Sequence, residues 1–137
     1  MIQRPRDIFL KEATSEENHL LQEAITDYNI KIIKDLPRAT TIKVDLIAWT
    51  SDNKWVGGIN AEWVNWSILF IHLLFIHEQF RGQGYGSLLL QEVEQRAKSN
   101  GCYLAHLDTF DFQGKEFHLK NSYRIFGVLA ELLSPYL

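Results

Sequence analysis

The chain holds a single cysteine, Cys102, in 137 residues. One thiol cannot close an internal disulfide, and no Cys or His spacing of a metal site accompanies it, so no metal is expected. Clustered basic residues are also missing: 14 Lys and Arg stand against 17 Asp and Glu, a net charge of -3. A nucleic-acid surface needs a basic stripe, so no nucleic-acid partner is expected. The N-terminus, Met1-Ile2-Gln3-Arg4-Pro5-Arg6, lacks the apolar run of a signal peptide. The most apolar stretch, Ile68 to Ile76, is about half the length of a membrane-spanning helix, and His72 interrupts it. These absences point to a soluble, cytoplasmic chain with no membrane partner.

What is present suits one α+β domain over residues 1–137, long enough to bury a sizeable core. Ile8 to Ala13 reads as a short first strand. Thr14 with Glu17 forms a capping box, and Leu21, Ala24, Ile25, Tyr28 and Ile32 then recur at helical spacing up to Pro37. Ile42 to Thr50, Trp55 to Val64 and Ser67 to Ile76 read as three consecutive antiparallel strands. The period then changes. Leu89, Val93 and Ala97 mark one face of a helix, with Glu92–Arg96 and Glu94–Lys98 as exposed charge pairs and Asn100-Gly101 as its stop. Tyr103 to Thr109 predicts a strand, Gln113 to Asn121 a short helix and Tyr123 to Val128 a last strand. The resulting sheet is mixed and mostly antiparallel, with the strands around the glycine-rich helix parallel.

The chemistry concentrates in Arg81-Gly82-Gln83-Gly84-Tyr85-Gly86, which follows a long strand and opens that helix. The first N–H groups of a helix have no internal partner and its dipole favours an anion there. Glycines let the main chain approach phosphate oxygens, and Arg81 adds positive charge. No Lys-Ser/Thr follows the glycines, as a P-loop requires, and the dinucleotide fingerprint has another spacing.

The run from Leu73 through His77-Glu78-Gln79-Phe80 and the glycine loop to Leu89 resembles the signature of the GNAT superfamily of N-acetyltransferases. Gly101-Cys102, Leu107-Asp108-Thr109-Phe110-Asp111-Phe112-Gln113 and Glu116-Phe117 are similar to a subgroup of small bacterial members. The resemblance covers about residues 20 to 128. The glycine spacing at the helix start puts a cofactor pyrophosphate on the backbone amides of Gln83, Gly84, Tyr85, Gly86 and Ser87, with Arg81 flanking and Gly82 in the same loop. The resemblance implies acetyl-CoA lying where the sheet splays. It also implies an acetyl carbonyl held by the backbone around Leu74, Phe75 and Ile76, and direct transfer to an amine of a small molecule or protein.

That transfer needs a base for the amine and an acid for the leaving thiolate. His118 stands where the resembled family places a tyrosine acid. It is either a substitute donor or a change that weakens catalysis, and Tyr123 is a second possible donor. His72, put by strand alternation on the face of Leu74 and Ile76, is a candidate base or a hydrogen-bonded structural histidine. Glu62 is a further candidate base. The family layout would bring Tyr28, Asn29, Trp63 and Trp66 to the acceptor end, where aromatic walls suit an amine on a hydrophobic or cationic body. The tail after Val128 is too short for the extra strand that the family carries, which leads to the expectation of a homodimer through about Tyr123 to Leu137. A non-catalytic acetyl-CoA-binding module is the alternative to an enzyme.

Overall fold

The computed structural model describes residues 7–35, 40–64, 67–109 and 114–129. They belong to two compact units, Met1–Ala39 and Thr40–Leu137. The first is built on helix α1, Ser15–Ile32. Its start is closed from within: Glu17 N–H donates to Thr14 Oγ1 at 3.1 Å and Thr14 N–H to Glu17 Oε1 at 3.2 Å. The strand expected over Ile8 to Ala13 is not formed. A strand persists only through its ladder, and this segment has no partner strand among the described residues.

The second unit contains the expected meander. Strands β1 (Ile42–Trp49), β2 (Trp55–Val64) and β3 (Ile68–Ile76) pair antiparallel in sequence order. Helix α2, Tyr85–Ser99, then crosses over, and β4, Leu104–Leu107, lies parallel to β3. A parallel neighbour requires such a crossover, and α2 supplies it. The helix buries Leu89, Leu90, Val93 and Ala97 against Val44, Ile59, Ala61, Trp63, Leu69 and Ile71. This is the stripe that the spacing of the helix predicts. Removing Leu90, which has no exposed surface, would cost about 2–5 kcal/mol.

Two further expectations are corrected. Tyr123 to Val128 forms no strand. Tyr123 folds back instead, its N–H bonded to the His118 carbonyl at the end of helix α3, Lys115–Lys120 (3.0 Å). Glu94 is not on a solvated face. It is half-buried and accepts the Tyr123 hydroxyl at 3.4 Å, whereas Glu92 and Arg96 do form the expected pair at 2.9 Å.

Candidate active site

The loop after β3 turns through Glu78–Phe80 and reaches α2 by two glycines in left-handed conformation, Gly82 (φ 73°) and Gly84 (φ 89°). Side chains rarely adopt such angles, so glycine is required here. A Cβ at either position would meet nothing within 4 Å, so the loop faces open space. Gly84 is the N-cap of α2 and contributes no side chain to it. The ladder of the helix begins with Leu88 N–H on the Gly84 carbonyl (3.0 Å). The N–H groups of Tyr85, Gly86 and Ser87 therefore precede it and are left to an outside acceptor. Gly86 has another task. A Cβ there would stand 3.1 Å from the Phe117 ring, so this glycine lets α3 close on α2.

Arg81 is fixed beside these amides. Its Nε donates to the Ile76 carbonyl at 2.8 Å, and its guanidinium lies 5.7 Å above the Phe75 ring. One edge of the fork is thus occupied and the rest is available to an anion.

Among the described residues a gap lies next to this loop. Strands β3 and β4 pair only from Ile68↔Leu104 to Ile71↔Leu107, where β4 ends. Beyond that point His77 N–H bonds the Val56 carbonyl of β2 at 2.9 Å. Alternation along β3 then turns the N–H groups of Ile76 and Leu74 away from β2, to the side where β4 has ended, and turns Phe75 N–H toward β2. Of Leu74, Phe75 and Ile76, two can therefore donate into the gap.

At the start of the gap β3 carries one extra residue. Ala61 faces Ile71 and Asn60 faces Leu73, so His72 has no partner on β2. This bulge reverses the phase of the strand. Leu74 and Ile76 pack on the core with Leu69 and Ile71. His72 does not share their face as the alternation predicted, because a bulged residue breaks the two-residue period. It lies with Glu62 and Phe70 instead. His72 Nε2 is 3.0 Å from Glu62 Oε1, and its ring meets Phe70 edge-on at 4.2 Å. On the other side of Phe70, His106 of β4 stacks at 4.6 Å and 16°. The structure thus brings together two residues that the sequence offered as separate bases and adds His106. The period of β4 puts His106 level with Phe70, a signal that a strand-by-strand reading overlooks.

Trp63 is corrected to a core residue, 7% exposed on the α2 side of the sheet, away from the face of Glu62 and His72. Tyr28 and Asn29 lie on α1 in the other compact unit, and Trp66 lies outside the described residues. His118 sits on α3 over Gly114, with Phe117 and Tyr123 around its ring at 5.1 and 5.8 Å. Its Nδ1 is buried without a hydrogen-bond partner. Burial holds the imidazole below its ordinary pKa, and so neutral near pH 7. Burial, with the Glu94 carboxylate added, pushes the Tyr123 phenol up.

A separate groove of about 500 Å³ lies between β1 and the last turns of α2, lined by Ile42, Asp45, Trp63, Arg96 and Asn100 among others. It meets the C-terminal end of the helix, where the dipole disfavours an anion. The uncapped N-terminus of α2 carries the opposite sign of dipole.

The comparisons place this fold in a known family. A model of the Acetyltransferase (GNAT) family matches residues 3–121, and the chain belongs to that family. The Blasticidin-S acetyltransferase of Streptomyces morookaense is 36% identical over 63 residues, 45% of this chain and 46% of that protein. This match therefore spans about half the length of that relative. An acetyltransferase from Bacillus cereus superposes with a TM-score of 0.74 at 33% identity, covering 88% of this chain and 85% of its own. A protein proposed to be a streptothricin acetyltransferase, from Bacillus anthracis and solved with acetyl coenzyme A, shares the fold at TM-score 0.52 and 21% identity. That likeness covers 57% of this chain and 46% of the other.

Proposed function

We propose that the chain transfers the acetyl group of acetyl-CoA directly to a primary amine, with a small-molecule acceptor favoured over a protein. The observation that carries this reading is that β4 ends after four residues paired with β3, near a helix N-terminus left without a side-chain cap. The residues fit the cosubstrate. Tyr85, Gly86 and Ser87 N–H, with Arg81, suit the pyrophosphate, and Gly82, Gln83 and Gly84 form the open rim of the cradle. Leu74 and Ile76 N–H suit the acetyl carbonyl, where charge develops during attack. Acetyl-CoA supplies the acetyl group; the chain binds it, orients it and moves the proton of the attacking amine. His72 accepts the proton of the attacking amine. His118, being neutral, would support the leaving thiolate by donating a hydrogen bond. The names of the Blasticidin-S and streptothricin relatives support a small-molecule amine, and the acetyl coenzyme A in the second supports the cosubstrate.

The second reading, a non-catalytic acetyl-CoA-binding module, is favoured by one observation: the residue at the family's tyrosine position is a histidine held neutral by burial. Release of free thiol from acetyl-CoA over a panel of amines, with a mass gain on one of them, separates the two. Transfer that falls 10²–10⁴-fold in His72→Asn, with acetyl-CoA affinity kept, supports the enzyme and its base. Binding without transfer to any amine supports the module.

We also propose a homodimer through the C-terminal segment. Ile125, Phe126, Val128 and Leu129 are exposed, at 59, 85, 86 and 95%, and the far edge of β4 has no partner strand among the described residues. Residues 130–137 lie outside the described residues. An unpaired strand edge is a template for another chain, and exposed apolar residues suit burial against one. Sedimentation of the full chain and of a version ending at Gly127 tests this: a dimer that the truncation abolishes supports it, and a monomeric full chain refutes it.

A further inference from the structure

Glu62 is a candidate base by sequence, and its geometry assigns it a different task. Glu62 Oε1 stands 3.0 Å from His72 Nε2; a carboxylate oxygen presents lone pairs, so this separation favours a proton on Nε2 over a second lone pair there. In neutral His72 the lone pair is then on Nδ1. The ring is restrained twice, by the carboxylate and by the edge of Phe70, itself backed by the stacked His106. Bulged residues need such ties, because the ladder does not hold them. Glu62 is well placed to supply one. It stands on the neighbouring strand, opposite Phe70 on one side and Lys43 on the other.

We propose that Glu62 is a positioning residue that locks the bulged His72 in its Nε2–H form, so that Nδ1 is the atom that takes the proton from the acceptor amine. This rests on the reading of His72 as the base. In the step, the amine N–H bond breaks as the N–C bond to the acetyl carbon forms. The proton passes to Nδ1, and the imidazolium so formed is stabilised by the Glu62 carboxylate. The electron pair of the C–S bond leaves with the thiolate.

Two measurements test it on the full chain. The first needs no acceptor. Long-range proton–nitrogen correlation spectra of histidine-labelled protein, with the His72 signals identified by their loss in His72→Asn, report which ring nitrogen carries hydrogen. The expected result is the Nε2–H form in the parent and a mixture of both forms in Glu62→Gln, whose amide can accept or donate. An Nδ1–H form in the parent, or one unchanged by Glu62→Gln, overturns the proposal. The second is a double-mutant cycle on kcat/KM with an acetylated amine. Glu62→Gln lowers it about 10- to 100-fold in the parent, as loss of an orienting partner does, and by less than about twofold in His72→Asn. An equal loss in both backgrounds makes Glu62 a base or a structural residue in its own right, and overturns it. If no amine is acetylated the enzymatic reading fails, and the spectra still decide the tautomer.

Discussion

The two long helices begin in opposite ways. Helix α1 completes its own first turn: Thr14 and Glu17 cap each other, and Glu16 and Glu17 set negative charge at the positive end of the dipole. Helix α2 leaves its first turn bare, with a left-handed glycine as N-cap and no acidic residue. The first arrangement uses the helix end for stability, and the second leaves it open to an outside acceptor. The difference separates a structural helix from a binding one without reference to any relative.

Five substitutions probe that contrast. Gly84→Asp puts an internal carboxylate where the pyrophosphate should sit. Aspartate tolerates the left-handed angle better than most residues, so the fold should survive. Like charges brought together cost several kcal/mol, and calorimetry should show acetyl-CoA affinity falling by about 100-fold or more. Gly84→Val blocks the cradle without adding charge. A helix-end anion contact is worth up to about 2 kcal/mol, so Kd should rise about 30-fold. His118→Ala leaves Kd unchanged and lowers turnover about tenfold, below the range of full proton transfer, because a neutral imidazole donates only a hydrogen bond. His118→Tyr should retain turnover. Thr14→Ala is the control at the other helix: about 1 kcal/mol of stability lost by denaturant titration, with no change in acetyl-CoA affinity.

His118 also predicts a pH dependence. Its folded pKa lies below the ordinary 6.5 because burial disfavours the charged ring. Above pH 6.5 both folded and unfolded states are neutral there and the group is silent. Below it the unfolded chain takes up the proton first, so stability falls as pH drops from about 6.5 toward the folded value. Glu94 acts oppositely: burial raises its pKa above 4.5, so its contribution is full below that value and fades as pH rises through the folded one. Melting curves of the parent and His118→Tyr between pH 5 and 7 isolate the histidine. The parent should lose more stability on acidification.

Legibility in the sequence followed the range of the forces involved. The capping box, the three-strand meander, the apolar stripe of α2 and the glycine loop are local patterns, and each was readable. The bulge at His72 was not. Ile68 to Ile76 is apolar almost throughout, so its period of two has no visible phase, and one slipped residue is set only by pairing with β2. The Glu62–His72 contact, the Phe70–His106 stack and the Tyr123–Glu94 contact are long-range and follow from that packing. Ile8 to Ala13 and Tyr123 to Val128 carried strand-like residues, but composition cannot supply a partner ladder. Trp63 illustrates the same limit, since an aromatic suited to a binding wall is equally suited to a core.

The central claim is that acetyl-CoA runs from the bare start of α2 into the gap between β3 and β4. Backbone amide spectra recorded during titration with acetyl-CoA test this most directly. The largest changes are expected at Gly82 to Ser87 and at Leu74 and Ile76. Changes centred instead on the groove at the far end of α2, at Ile42, Asp45, Trp63 and Asn100, would contradict it.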